Sequence, residues 1–358
     1  MGADEPVYHR SEHRLLERRG GAFLSARRHE SVVSEFAFEL ELCAHLERRR
    51  EDVLARQLGA SVAASGGRIL DAVCVEPGPE FAERTTITAE TIPDGAIAAD
   101  VGPGRARYWK DAFDGYHPDH ARRAIEQACE IGFFERERHK GREYVRQVTR
   151  YPDWYGRIVG IENKPDLERP GDLESQLRTD VSLAVVDEVV LATESYVTRA
   201  HLNRIPDEVG VWRVHRTDDG IDLEVVREPT SLAVDKPGIE PLEFHPGRTD
   251  VEVVSPEEKA GTRRRIAERA YGKGWRTYGF PDCTACNAQK TQNATLPHCE
   301  WHDRIVDANA ECGPSCPGYE SGPALDVDLE AERDRHTSWR SKPAGKRRRQ
   351  SGLDRFGG

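Results

Sequence analysis

A chain of 358 residues with 37% hydrophobic and 32% charged residues can build two or three compact cores, but its surface must be heavily ionic. No run approaches the length of a membrane span, and the N-terminus lacks the charged-then-apolar pattern of a signal peptide. A cytoplasmic protein with no membrane partner is therefore expected. The net charge of −11 argues against nonspecific nucleic-acid binding in dilute salt but leaves room for a local basic groove.

The basic residues are 43 Arg against 9 Lys, and this bias beside so many acids fits a high-salt cytoplasm of haloarchaeal type. Residues 1–30 read as a polar N-terminal arm. From Ser31 the apolar residues Phe36, Leu40 and Cys43 recur at helical spacing, with Phe38, Leu42 and Leu46 widening the stripe. Glu39 falls on or beside that face and Glu35 lies one turn earlier. A carboxylate facing a core is costly unless a cation meets it, so both either flank the stripe or serve a site.

Residues 56–76 read as a hairpin with a Gly66-Gly67 turn, and Asp71 interrupts its apolar second strand. Strand propensity disfavours Asp there, so it needs either an exposed position or a task. Residues 77–156 change character, with Gly and Pro punctuation, a helix opened by Pro118-Asp119, and two alternating strands around Gly141. Two readings stand for this stretch. One is a plain helix–hairpin insertion with solvated charges. The other is a winged-helix-like module in which Arg136, Arg138, Lys140 and Arg142 form a basic wing against DNA.

The run Arg157-Ile-Val-Gly-Ile-Glu-Asn-Lys164 is an apolar strand that ends in Glu162 and Lys164, two residues apart and so expected on one side. Alone it reads as a surface ion pair. A helix with Leu173, Leu177 and Val181 on one face follows, then the strand Glu188–Thr193, a short helix over 196–205 and a strand from Gly210. Alternating strands and helices with short connections mean α/β organisation with a partly parallel sheet. Residues 216–262 read as a β-rich linker, with a basic helix from Thr262 to Tyr271, and 319–358 as a disordered tail.

Five of the eight cysteines, Cys283, Cys286, Cys299, Cys312 and Cys316, crowd into one segment, which in an intracellular chain points to metal. Cys283-x2-Cys286, then Cys299-x2-His302, has zinc-finger spacing and predicts a closed structural zinc module over 263–318. Cys312, Cys316 and His298 are surplus to that set. Asp71 and Glu162 suit magnesium or manganese, which takes oxygen ligands, with Glu39 on a metal-bound water. Lys164 would position the attacking water or neutralise charge, as phosphodiester hydrolysis requires.

In this order the residues resemble the PD-(D/E)xK nuclease superfamily, whose core runs helix, antiparallel meander, helix, strand. Asp71 matches the acid of its signature, Glu162 and Lys164 its E-x-K, Glu39 (or Glu35) its first-helix glutamate, and Gln176 the glutamine of its following helix. The resemblance covers about residues 31–76 and 157–215. It implies a restriction-endonuclease-like mixed sheet flanked by helices, interrupted by the insertion at 77–156. It further implies a metal-dependent deoxyribonuclease acting on double-stranded or branched DNA in repair or defence, with a homodimer left open. An iron–sulfur cluster on the cysteines is the alternative to zinc that the family offers. The rival to an enzyme is a noncatalytic DNA-binding regulator on an inactive nuclease-like scaffold.

Overall fold

The computed structural model describes residues 34–49, 51–63, 67–217 and 220–345. The expected N-terminal arm, residue 66 of the expected hairpin turn and the basic run Lys346-Arg-Arg-Arg349 lie outside the described residues. Helix α1 (Glu35–Arg49) starts on an acid and ends on Arg48 and Arg49, charges that complement the helix dipole. Strands β1 (Val53–Gly59) and β2 (Ile69–Pro77) then pair antiparallel. The inserted segment contains α2 (Phe81–Thr85), α3 (Asp94–Ala98), β3 (Arg107–Tyr108), α4 (Trp109–Ala112), α5 (Pro118–Glu130), β4 (Phe134–His139) and β5 (Arg142–Gln147). The chain returns to the main sheet with β6 (Tyr155–Asn163), α6 (Leu173–Leu183), β7 (Glu188–Thr193), α7 (Arg199–Leu202), β8 (Gly210–Thr217) and β9 (Gly220–Arg227). A hairpin of β10 (Gly238–His245) and β11 (Arg248–Val254) precedes the long helix α8 (Pro256–Lys273). Last come β12 (Cys286–Lys290), β13 (Thr295–Cys299), β14 (Arg304–Ile305), α9 (Ala308–Glu311) and α10 (Leu329–His336).

The main sheet has the order β1-β2-β6-β7-β8-β9, so the expected mixed α/β architecture is present. Strands β6, β7 and β8 run parallel, joined through α6 and α7, while β1, β2 and β9 pair antiparallel with their neighbours. Alternation along β7 sends Val189 and Leu191 into one apolar cluster and Val190 and Ala192 into the other. The first cluster takes Leu173, Leu177 and Leu183 of α6 and Ile266, Ala270 and Tyr271 of α8. The second takes Phe38, Leu40, Leu42 and Leu46 of α1, together with Leu296 and Ile305 of the C-terminal strands.

Four expectations change at this level. Helix α1 is buried on almost every side, not along one stripe, because the sheet covers one face and the C-terminal module another. The boundary at 215 falls inside the sheet, since β9 pairs with β8, and α8 is a core helix instead of part of a linker and zinc module. The segment 319–345 is not the expected disordered tail: α10 buries Glu332 and Arg333, and Trp339 is buried beyond it.

The insertion has a core of its own, with Ile92, Trp109, Phe113, Ile125, Phe133 and Val145 packed together, and a small sheet ordered β3-β5-β4. Glu268 of α8, 1% exposed, pins this unit to the main sheet. It accepts two bonds from the Arg84 guanidinium (2.9 and 2.8 Å), one from the Tyr151 hydroxyl (2.8 Å), one from Trp154 Nε1 (2.9 Å) and one from the Ile92 backbone N–H (2.9 Å). Arg84 is wholly buried, so removing its partner strands a cation in the interior. Glu268→Ala should therefore cost about 3–5 kcal/mol in denaturant melts, and the double change Arg84→Met, Glu268→Leu should recover only part of that loss, because the Tyr151, Trp154 and Ile92 donors still lose their acceptor.

Candidate functional site

The β2–β6 ladder settles the spacing that the sequence left open. Ala72 stands opposite Ile161, so the next pair outward sets Asp71 beside Glu162 across the 80-odd residues of the insertion. Asp71 Oδ2 accepts from the Asn163 backbone N–H at 2.9 Å. Its Oδ1 shares the Gln57 amide with α1, since Gln57 Nε2 donates to Glu39 Oε2 at 3.0 Å and to Asp71 Oδ1 at 3.4 Å. Gln57 holds a left-handed backbone (φ 54°), and Lys273 of α8 fastens this distorted stretch by donating to the Arg56 and Gln57 carbonyls, both at 2.9 Å. Arg56 bonds Glu39 directly and lies over the Phe36 ring at 4.9 Å. The buried carboxylate on the apolar face thus has the cation it needed.

Glu162, 2% exposed, turns toward the opposite face of the sheet. There it bonds Arg68, which also forks onto Asp180 of α6 with Nε and Nη2 both at 2.7 Å from its carboxylate oxygens. Lys164 lies past the end of β6, and its Nζ pairs with Glu35 at the start of α1. The expectation that Glu162 and Lys164 project from one side is corrected: strand alternation stops at Asn163, and the two heads go to helices on opposite faces. Gln176 is exposed on α6, one turn before Asp180. The group that α6 brings to Glu162 is therefore Asp180, linked through Arg68. Sequence reasoning passed over Arg68, Asp180 and Gln57. Asp180 carried a usable signal, an acid on the apolar stripe of its helix, the same kind of signal that marked Glu39.

Burial, more than any neighbour, raises the carboxyls of Glu39, Asp71 and Asp180 above their ordinary values. Burial and then the adjacent Asp71 push Glu162 up to about 9. Burial alone would lower Arg68, but Asp180 and Glu162 outweigh it and hold the guanidinium above its usual range. One guanidinium faces two buried carboxyls, so burial favours the neutral carboxyl at this junction. Among the described residues, the group of three or more acids, histidines or cysteines with ligand atoms within 4.8 Å of one another is Glu243, His245 and Asp250 on the β10–β11 hairpin. Asp71 and Glu162 offer the oxygen donors a divalent ion takes, but Glu162 must first leave Arg68.

A folded-state pKa raised from 4.5 gives stability that is complete below that value and is lost as the pH climbs toward about 9. Glu162→Gln keeps a neutral partner for Arg68 at every pH. Its melting temperature relative to the native chain should rise between about pH 4.5 and pH 9, and a flat difference would show that Glu162 is ionised throughout.

In the C-terminal strands Cys286 pairs with Cys299 across β12–β13, and the Cys286 N–H bonds the Cys283 carbonyl at 3.1 Å to form a tight knuckle. All three are buried, and the cysteines are free thiols. Burial pushes the Cys286 thiol up to about 12, with Cys312, Cys299 and Cys283 adding to the rise in that order. His302, the expected fourth member, instead has its Nε2 3.7 Å from Cys316 Sγ.

In the insertion, β4 and β5 meet in a turn where Lys140 (φ 50°) and Gly141 (φ 77°) both take left-handed backbone. Arg138 and Lys140 are exposed there. Arg136 faces Glu143 at 3.8 Å, and Arg142 lies over the Tyr108 ring at 5.6 Å. Glu135 and Glu137 pair with Arg146, so the β4–β5 hairpin carries both signs of charge.

Fold and site define a mixed α/β protein with an acid-rich cluster where β2 and β6 run together, an inserted helix–hairpin unit and a cysteine-bearing C-terminal module. The chain belongs to DUF5787, a family of unknown function, whose model matches residues 53–321. None of the curated proteins and none of the solved structures matches it. Among the described residues no helix is long and apolar enough to cross a membrane.

Proposed function

We propose that the chain is a metal-dependent phosphodiesterase of nuclease type acting on DNA. The observation that carries this reading is the placement of Asp71 beside Glu162 on adjacent strands, with Glu39 bridged to Asp71 through Gln57. The order helix, antiparallel meander, helix and parallel strand over α1, β1, β2, β6, α6 and β7 supports a restriction-endonuclease-like core. In the insertion, the sequence α3, β3, α4, α5, β4, β5 with its sheet order β3-β5-β4 supports a winged helix, with α5 and the Arg138–Lys140 turn as the DNA-facing parts.

Asp71 and Glu162 would hold a magnesium or manganese ion, which when bound supplies charge neutralisation and a more acidic water. Lys164, released from the exposed Glu35, would meet a phosphate oxygen and offset charge developing on it. Glu39, already joined to Asp71 through Gln57, would orient water or hold Asp71 in place.

A second reading has a specific observation in its favour. Arg68 already satisfies Glu162 and Asp180, as an inactive scaffold that only binds DNA would require. Cleavage of plasmid, single-stranded and branched DNA with magnesium or manganese in high salt separates the two. The nuclease reading expects cutting that falls roughly a hundredfold or more in Glu162→Ala and in Lys164→Ala. Binding without cutting, unchanged in both variants, assigns the chain to the regulator class.

A further inference from the structure

Seven residues of ligand type lie between Cys283 and Cys316, and spacing alone joined Cys283, Cys286 and Cys299 with His302. The folded chain sorts them differently. Cys283 and Cys286 sit on one knuckle, and Cys299 is the direct cross-strand neighbour of Cys286. Arg304 is the cross-strand neighbour of Cys299 on β14, and it grips Glu311 at the end of α9, with Nη1 3.1 Å from Oε1. The Asp307 backbone N–H holds the same oxygen at 3.0 Å. Cys312 follows Glu311 directly, so this brace ties the Cys312 backbone to the strand pair that carries Cys299. His302 is exposed, and its Nε2 lies 3.7 Å from the Sγ of the half-buried Cys316, a contact outside the Cys283–Cys286–Cys299 group.

We propose that Cys283, Cys286, Cys299 and Cys312 form a structural four-thiolate zinc site, and that His302 and Cys316 are not ligands. The inference is independent of the nuclease reading and survives its failure. Four thiolates suit a closed tetrahedral site, with Zn–S distances of about 2.3 Å. No three of these thiols lie within 4.8 Å of one another, so zinc binding has to draw the two turns, 283–286 and 312–316, inward. Each thiol gives up its proton as the ion binds, so binding is weaker in acid. The module has cause to need the staple. Its three strands span five, five and two residues, and three of its buried apolar side chains, Ala294, Leu296 and Ile305, pack on the α1 face of the main core.

The test uses the full chain, expressed with zinc and iron both supplied and analysed for metal by elemental analysis. One zinc per chain is expected, kept in Cys316→Ser and His302→Asn and lost in Cys312→Ser. Because Cys312→Ser alone could simply misfold, the native chain is also loaded with cobalt in place of zinc. Its visible spectrum should carry the intense thiolate charge-transfer and red-shifted ligand-field bands of four sulfurs, unchanged in His302→Asn. Iron without zinc, no metal at all, or a cobalt spectrum of three sulfurs and one nitrogen that changes in His302→Asn would each overturn the assignment.

Discussion

The pairing of β2 with β6 is the constraint on which the rest depends. It joins two segments separated by an inserted unit that carries its own core, and without it the sheet would break into a hairpin and a parallel half. A register slip of one residue would move Val73 and Val75 from the α6 and α8 face to the α1 face, so burial on both sides locks the alignment. Asp71 and Glu162 are neighbours only because that alignment holds.

Charge inside the molecule follows one pattern, an acid held by an arginine fork. Glu268 holds Arg84 where the insertion meets α8, Glu47 holds Arg276 with both oxygens at 2.7 Å where the C-terminal module meets α1, and Arg68 holds Glu162 and Asp180 where α6 meets the sheet. Two of these forks sit at a junction between units, and the third joins a helix to its own sheet. A planar guanidinium can satisfy both carboxylate oxygens at once and is less strongly hydrated than an ammonium, which makes arginine the basic residue that tolerates such positions. The excess of arginine over lysine therefore has a structural component besides its surface one.

Helix α1 lies between the sheet and the C-terminal module, and this position ties two chemistries together. Its first half carries Glu35 and Glu39 toward Lys164, Arg56 and Gln57, while Glu47 in its last turn anchors Trp275, Arg276 and Asn293. Loss of order among the cysteines would loosen the cover over α1 and so reach the acids on the far side of the same helix.

Local patterns in the sequence determined a good deal. Helix α1, β7 and the helix–hairpin order of the insertion follow from periodicity, Gly and Pro punctuation and capping residues. Asp71, Glu162 and Glu39 stood out because an acid in an apolar run demands an explanation. What the sequence could not decide was partnership. Arg68 looked like any arginine after a turn, and Gln176 looked as suitable as Asp180, because helix phase relative to a distant strand is fixed by packing. Spacing favoured His302 over Cys312, since the Arg304–Glu311 contact that ties Cys312 to β14 joins separate elements. The sequence by itself therefore determined which residues were unusual and which elements bear them. Only the tertiary structure decided which of them meet, because burial is set locally by side-chain pattern, whereas contact depends on how sheets, helices and insertions pack together.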